Sequence, residues 1–372
     1  ALELAGNSVF RLSSDSKDPE GALFLGKKAG LLLQLLAYLR INFFQTGIVK
    51  HETLRQFRIH LLRQKPDHIL FHNIHGTNWP LDMIDIALEF APTTWILHDC
   101  WSFSGRFYPS NSPKADKKVL QSLKHFWNRI PKSRLPLSAV TPSSWMQTEA
   151  TRSNWSGMNV ETIHNPIPNN FSNKIDKTSA KNALGLNPAK KVVLCIAGNL
   201  TENRKGGSIL KEILSSEQTN CYQFLLIGNS INTTNNSEKV LELGFLNDEI
   251  ALRLAYNAAD LTLHTAPVDN LPNTVAESMS CGTPVISFEV GGLPEMIKDN
   301  ECGWLVQKIT AEAMIYRLQS LSKNQNLRIM GSNARKRAKY LFSEEKIAQK
   351  YNAHFNSLVV LSENRLRKTH SN

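Results

Sequence analysis

Apolar runs of strand length alternate with helical patterns along most of the chain. In the first half, runs over 68–75, 93–99 and 137–143 predict strands, and helical patterns near 51–65 and 80–90 lie among them. The second half repeats the alternation, with predicted strands over 190–199, 222–229, 260–266 and 284–288 and helical patterns near 206–215, 247–258, 274–281 and 310–323. Continuous apolar strands separated by helices are typical of parallel sheets covered on both faces. The pattern therefore predicts an α/β protein.

The chain's length of 372 residues predicts more than one domain. A stretch over 165–191, rich in Asn, Pro, Ser and Lys, predicts the boundary. We expect two Rossmann-like domains facing across a cleft, over 1–168 and 187–340, and a C-terminal helix over 341–372 that crosses back to the first domain. In such sheets, ligands bind beyond the carboxyl ends of the strands.

The net charge of +11 indicates an anionic partner or substrate. Nucleic acid, an acidic membrane, a phosphorylated lipid and a nucleotide all fit this charge. Five cysteines without a C-x-x-C pair indicate neither a disulfide framework nor a zinc ribbon, so we expect reduced thiols in the cytoplasm. The apolar run over 29–44 is interrupted by Gln34 and Arg40, which predicts an amphipathic helix rather than a membrane span, and no secretory leader is expected.

The segment HTAPVDNLPNTVAESMSCGTPVISF, residues 264–288, predicts a strand end, a loop, a very short helix, a turn and a strand. A helix that follows a strand in this way points its free amides toward the cleft, where they favour an anion. Glu277 has two interpretations. It can complete a capping box with Thr274, or it can accept hydrogen bonds from a diol such as a ribose.

Two glycine pairs mark further turns. Arg204 and Lys205 precede Gly206-Gly207 at a strand-to-helix turn, which favours either a diphosphate site or a solvated basic turn. The Gly291-Gly292 pair before Glu295 either brings backbone amides close to a ligand or forms a plain tight turn. The dinucleotide fingerprint G-x-G-x-x-G and the Walker A sequence do not occur, which disfavours a dehydrogenase.

A histidine-rich group lies near two strand ends of the first half. His98 and Asp99 end one predicted strand and are followed by Cys100, and His72 and His75 end another. A metal-dependent hydrolase using His72, His75, His98 and Asp99 is one hypothesis, and it predicts loss of activity on chelation. The spacing does not favour a metal, so we expect His98 to hydrogen-bond a substrate hydroxyl.

The segment over 113–136 is strongly basic, with apolar residues at helical spacing. It predicts an amphipathic helix that either lies on an anionic membrane or covers the core with a solvated charged face. No nucleic-acid-binding module is recognisable, so no nucleic-acid partner is expected.

Together these elements resemble the retaining glycosyltransferases of group 1, the family 4 type with the GT-B fold, found in exopolysaccharide, O-antigen and colanic-acid synthesis. DNLPNTVAESMSCGTPVISFEVGGLPEMI resembles that family's E-x7-E segment and following strand, and residues 244–266 resemble the lead-in to it. HNIHG, LHDCWSFSGR and TPSSWM resemble the first domain of the colanic-acid branch.

The resemblance implies a nucleotide-diphosphate sugar as donor, a saccharide or lipid-linked acceptor, and no metal or other cofactor. Independently of the resemblance, the cysteines predict a cytoplasmic protein, and the basic segment over 113–136 predicts peripheral contact with the inner face of the membrane. The roles implied for single residues are as follows: Glu277 holds the ribose; Asp269 faces the reacting carbon of the sugar; Lys205 and the amides of Asn273 and Thr274 meet the diphosphate, assisted by Arg204; His98 contacts the sugar; Gly291, Gly292 and Glu295 lie on the donor side.

Three departures from the family pattern favour an alternative. Asp269 replaces the usual Glu, Asn199 replaces a common diphosphate arginine, and the glycine-rich loop after the first strand has no counterpart in this sequence. A weakly active or inactive relic of the same fold would bind the nucleotide sugar without turnover.

Overall fold

The structure is a computed structural model that describes residues 2–3, 6–9, 12, 47–75, 79–108, 114–130, 133, 135–229, 238–323 and 326–370. The helix predicted over 29–44 lies outside these residues. No helix in the described part of the chain is both long and apolar enough to cross a membrane.

The first half of the chain forms a four-stranded parallel sheet of order β1-β2-β3-β4. Its strands are β1 (Ile69–His72), β2 (Thr93–Ile96), β3 (Leu137–Thr141) and β4 (Val160–Thr162). Its helices are α1 (Gly47–Gln64), α2 (Asp82–Phe90), α3 (Trp101–Ser104), α4 (Lys117–Arg129) and α5 (Ser144–Thr151).

The second half forms a six-stranded parallel sheet of order β10-β9-β8-β5-β6-β7. Its strands are β5 (Lys191–Asn199), β6 (Tyr222–Asn229), β7 (Val240–Glu242), β8 (Leu261–His264), β9 (Val285–Phe288) and β10 (Gly303–Val306). The helices of this half are α6 (Lys177–Ala183), α7 (Gly207–Ser215), α8 (Glu249–Ala258), α9 (Asn273–Cys281), α10 (Leu293–Met296), α11 (Ala311–Leu321) and α12 (Leu327–Phe342), and α13 (Glu344–His370) follows them.

The prediction of an α/β fold with two parallel sheets is confirmed. The predicted strands are present, although four of them end two or three residues earlier than the apolar runs suggest. The sequence analysis missed β4, β7 and β10, which are only three or four residues long and lie at sheet edges. The domain limits at 168, 187 and 340 stay predictions.

The apolar stripe of α4 packs into the core of the first domain. Leu123, Phe126 and Trp127 are buried, and the Trp127 indole donates to the carbonyl of Ser102 at 2.9 Å. Because the stripe is buried in the protein itself, the face of α4 that remains for a partner is the basic one.

The described part of the chain passes between the two sheets twice. The first crossing follows β4, and the second joins α12 to α13, which packs through Ile347 and Tyr351 on the first sheet. The two crossings lie side by side, since the amide of Ile167 donates to the carbonyl of Phe342 at 3.0 Å.

Beneath α13 lies a buried polar cluster. His354 is 1% exposed and contacts the Thr94 hydroxyl at 3.0 Å and the Glu161 carboxylate at 2.9 Å. His68 reaches the same Thr94 hydroxyl at 2.8 Å. Burial lowers the pKa of His354 and lowers the pKa of His68 to about 3. Both rings are therefore neutral in the folded protein at pH 7.

We expect stability to fall as the pH drops below about 6.5, the ordinary pKa of histidine. Below that pH the unfolded chain binds protons that His68 and His354 exclude in the folded protein. The contribution of these two histidines to the free energy of unfolding is therefore complete above about pH 6.5 and declines as the pH falls toward their pKa values in the folded protein. One such histidine lowers the free energy of unfolding by roughly 2 kcal/mol between pH 7 and pH 5. Urea unfolding at both pH values measures this. The prediction is wrong if His68→Gln with His354→Gln shows the same pH dependence as the wild type.

Candidate active site

The loop between β8 and α9 carries Asp269 and Asn270. Helix α9 begins at Asn273 with Pro272 as its N-cap, and it ends at Gly282, whose φ of 80° suits glycine. By the geometry of any α-helix, the amides of Asn273 and Thr274 have no acceptor within the helix. The loop and this helix start follow the carboxyl end of a central strand of the second sheet.

Glu277 does not form a capping box. Thr274 lies inside the helix, and Pro272 at the N-cap makes no side-chain hydrogen bond. The hydroxyl of Tyr256, on α8, instead donates to Glu277 Oε2 at 2.8 Å. Burial raises the pKa of Glu277 and raises that of Tyr256 well above its ordinary value. The tether occupies one carboxylate oxygen and leaves Oε1 for another donor.

Asp269 is an ionised carboxylate that is only 5% exposed. Lys205 Nζ donates to its Oδ2 at 2.8 Å, and His264 Nε2 lies 3.5 Å from the same oxygen. The Oδ1 atom accepts from the Asn270 amide at 3.0 Å and lies 3.5 Å from the Tyr108 hydroxyl. Burial alone would raise the pKa of Asp269, but the nearby His264 ring and the charge of Lys205 outweigh it and hold the pKa well below the usual range.

The two adjacent cations have different partners. Lys205 reaches Asp269, whereas Arg204 pairs with Glu202 at 3.0 Å and stacks over the Phe107 ring at 5.5 Å. A Cβ on Gly206 would lie 2.0 Å from the carbonyl oxygen of Thr265. Gly206 therefore allows its own backbone to pack closely against the residue that follows β8.

The first domain meets this loop through His98 and its neighbours. The Asn270 side chain donates to the carbonyl of His98 at 2.9 Å, and it accepts from the Ser143 hydroxyl. His98 Nε2 lies 3.1 Å from His72 Nδ1, and burial lowers the pKa of His98, so its ring is neutral. A neutral imidazole has one donor and one acceptor nitrogen, and because Nε2 faces His72, Nδ1 is the nitrogen that a substrate hydroxyl would meet.

The residues predicted for the hydrolase form two pairs rather than one cluster. His72 contacts His98, and His75 Nε2 lies 3.1 Å from Asp99 Oδ2. Within the described ranges, no group of three or more His, Cys, Asp or Glu side chains is arranged to hold a metal ion. The hydrolase hypothesis therefore loses the feature that motivated it.

The Gly291-Gly292 turn packs directly on the loop. A Cβ on Gly291, whose φ is 56°, would lie 1.7 Å from the carbonyl oxygen of Asp269. A Cβ on Gly292 would lie 2.0 Å from that of Asn270. Glu295 follows this turn and accepts from the amides of Ser144 and Trp145 at 2.8 and 2.9 Å, at the start of α5 in the first domain. In this structure Glu295 thus joins the two domains.

The structure brings Lys205, Asp269 and the start of α9 together, and it links His98 to them through Asn270. Asn199 is engaged locally, since its side chain accepts from the amide and hydroxyl of Thr201 at 2.9 and 2.7 Å. The sequence analysis missed the four residues that hold the two acids and the interdomain contact: Tyr108, Tyr256, His264 and Asn270. Of these, only His264 carried a usable signal, because it lies close to the carboxyl end of a predicted strand.

Comparison with known proteins identifies the second domain. Residues 176–337 match the family model described as glycosyl transferases group 1. This part of the chain is a group 1 glycosyltransferase domain. The glycosyltransferase domain contains Lys205, Asp269 and Glu277, whereas His98 and Tyr108 lie outside the matched residues. The resemblance that the motifs indicated is confirmed.

Curated relatives agree with this family. N-acetyl-alpha-D-glucosaminyl L-malate synthase of Bacillus anthracis is 26% identical over 202 residues, which is 52% of each chain. Amylovoran biosynthesis glycosyltransferase AmsK of Erwinia amylovora is 27% identical over 148 residues, or 36% of each chain. The matched part of the chain spans about half the length, or less, of these curated relatives.

Solved structures extend the likeness across both domains. Sucrose-phosphate synthase from Thermosynechococcus elongatus superposes with a TM-score of 0.66 at 20% identity, covering 83% of this chain and 78% of that one. Anabaena HepE, solved with UDP and glucose, superposes with a TM-score of 0.63 at 20% identity, covering 82% of each chain. The group 1 glycosyltransferase domain is thus part of a GT-B fold.

Proposed function

We propose that the protein transfers a sugar, with retention of configuration, from a nucleotide-diphosphate sugar to a saccharide or lipid-linked acceptor in surface polysaccharide synthesis. The observation that carries the proposal is the ionised Asp269 held by Lys205 beside the start of α9. The family match supports it, as does the HepE structure, which contains UDP and glucose.

Each group has a distinct part in this reaction. Glu277 accepts hydrogen bonds from the ribose through the oxygen that Tyr256 leaves unoccupied. Lys205 and the amides at the start of α9 stabilise the charge that develops on the leaving diphosphate. These fixed positive groups supply the charge that a metal ion would otherwise provide, so we propose that transfer needs no metal or other cofactor.

Asp269 is better suited to stabilise charge than to attack. The double displacement of retaining glycosidases needs a carboxylate free to bond to the sugar carbon. Both oxygens of Asp269 already have partners, Lys205 and His264 on one and the Asn270 amide on the other. We therefore propose attack by the acceptor on the face from which the diphosphate leaves, with that phosphate taking the acceptor proton and Asp269 stabilising the positive charge on the sugar.

The second candidate function is nucleotide-sugar binding without turnover. It is favoured by the local contacts of two residues expected near the diphosphate, since Arg204 pairs with Glu202 and Asn199 accepts from Thr201. Lys205, which contacts Asp269, is then the side-chain cation that remains for the diphosphate. A transfer assay distinguishes it from the first. Cytoplasmic location and peripheral contact with the inner face of the membrane remain part of the proposal, and the basic face of α4 is the surface concerned.

The experiment that tests the nucleotide site is calorimetric titration with UDP and with GDP, in EDTA. We expect Glu277→Ala to lose about 1.5–3 kcal/mol of binding free energy, because a charged hydrogen-bond acceptor is removed. Tyr256→Phe is the matched control, since it removes the tether and keeps the carboxylate, and it should lose much less. Equal binding by Glu277→Ala and wild type would contradict the ribose role. Absence of wild-type binding to either nucleotide would contradict the proposed function.

A further inference from the structure

A large groove lies on the first domain, between α4 and the segment that leads into α2. Its volume is about 910 Å³, within the range of about 300–1,000 Å³ that is usual for small-molecule sites. We call it the α4 groove and define it by six of its lining residues: Trp79, Trp101, Lys118, Lys124, His125 and Asn128.

The α4 groove carries positive charge that no described residue neutralises. Two other lining cations have acidic partners, since Lys50 lies 2.6 Å from Asp82 and Arg129 pairs with Asp85. Lys118 and Lys124 are exposed, and neither forms an ion pair with any residue that the structure describes. A negatively charged ligand would therefore be attracted to their side of the groove.

The remaining lining groups suit a saccharide. Trp79 and Trp101 are half-buried against the core, and Trp101 stacks on His75 with ring centroids 4.8 Å apart. The part of each ring that stays uncovered in the groove is apolar surface against which a sugar ring can pack. The amides of Gln121 and Asn128 supply both donors and acceptors for hydroxyl groups. A flat lipid surface would not fill a concave site of this kind.

The spacing of the two lysines favours several charges over one. Lys118 and Lys124 are six residues apart on α4, which is about 9 Å along the helix axis. A single phosphate would need cations that converge on it. Charges separated along a chain of sugars match the observed arrangement better.

The α4 groove adjoins the region of His98. His75 lines both the groove and a separate small cavity bounded by His98 and Asp99, and His75 Nε2 lies 3.1 Å from Asp99 Oδ2. The groove therefore lies next to first-domain residues that the proposed transfer would use.

We propose that the α4 groove binds the acceptor, and that this acceptor is an acidic saccharide carrying carboxylates on more than one sugar. That the bound saccharide is the acceptor rests on the proposed function. Binding of an acidic saccharide in the groove does not require turnover.

The test is calorimetric titration of the whole chain with tetraglucuronate and with the same tetrasaccharide after reduction of its carboxylates to alcohols. We expect the acidic probe to bind more tightly and to weaken as salt is added. Lys118→Gln with Lys124→Gln should weaken its binding about fivefold, as two partly exposed charge contacts are lost. Lys114→Gln with Lys117→Gln is the matched control, because it removes the same charge from two exposed residues next to the groove that do not line it.

The outcomes separate this inference from the proposed function. Equal binding of the two probes, no binding of the acidic one, or equal loss in both double variants would overturn the inference. A second result would also overturn it. If Lys118→Gln with Lys124→Gln no longer co-sediments with phosphatidylglycerol vesicles but binds tetraglucuronate as the wild type does, this face binds a membrane rather than a saccharide. UDP binding is measured in the same proteins, and its absence from the wild type would contradict the proposed function alone.

Discussion

Lys205→Ala is expected to lower the rate of sugar transfer by about 10²–10³-fold, the usual cost of removing one group that stabilises transition-state charge. The variant also leaves the buried Asp269 without its cation, so the carboxylate that should face the sugar loses its fixed position. Steady-state transfer assays, with UDP binding measured in parallel, would show the loss mainly in the turnover number.

The matched control is Arg204→Ala. Arg204 is adjacent in sequence and carries the same charge, but its partners are Glu202 and the Phe107 ring. We expect a loss of less than about tenfold, typical of a partly exposed pair. Lys205→Arg keeps the charge and should retain more activity than Lys205→Ala. Equal losses at 204 and 205 would show that the ion pair with Asp269 has no special part in transfer.

Gly291→Ala is expected to have the second largest effect, a loss of transfer of about 10²-fold, as a displacement of about 1 Å at a reacting group can cause. The added Cβ would lie 1.7 Å from the carbonyl oxygen of Asp269, and the φ of 56° is unfavourable for alanine. The loop must shift, and Asp269 with it. Transfer rate and thermal unfolding should both be measured.

Gly185→Ala separates the clash from the backbone strain. Gly185 has a φ of 70°, and a Cβ there meets nothing within 4 Å. We expect this control to be destabilised modestly and to keep its transfer rate. If Gly291→Ala retains normal transfer, the loop does not depend on the turn beneath it, and the position assigned to Asp269 is not critical.

The sequence predicted the fold well where elements are long. Strand β6 is buried over seven of its eight residues and β5 over four consecutive residues of its nine, so their apolar runs are unmistakable. Strands β4 and β7 have three half-buried residues each, too few for a period of two to be recognised. These two strands form by pairing with the edges of β3 and β6, and a local sequence pattern does not reveal such pairing.

The candidate site was only partly predictable, because its partners are distant in sequence. Asp269 and Lys205 were each identified by motif, but their ion pair joins residues 64 positions apart. The choice between a capping box and a free carboxylate at Glu277 depended on Tyr256, which lies on another helix. Tyr108 and Asn270 act across the two domains, and no spacing rule connects them.

The paired crossings between the sheets have a mechanical consequence. A single linker would let the domains swivel in any direction, but two segments joined by the Ile167–Phe342 hydrogen bond define a line. We expect rotation about that line to bend both segments together, whereas twisting across it would break the bond. Opening of the cleft about this hinge line would also break the hydrogen bonds that Asn270 and Glu295 make with the first domain, so these two residues oppose it.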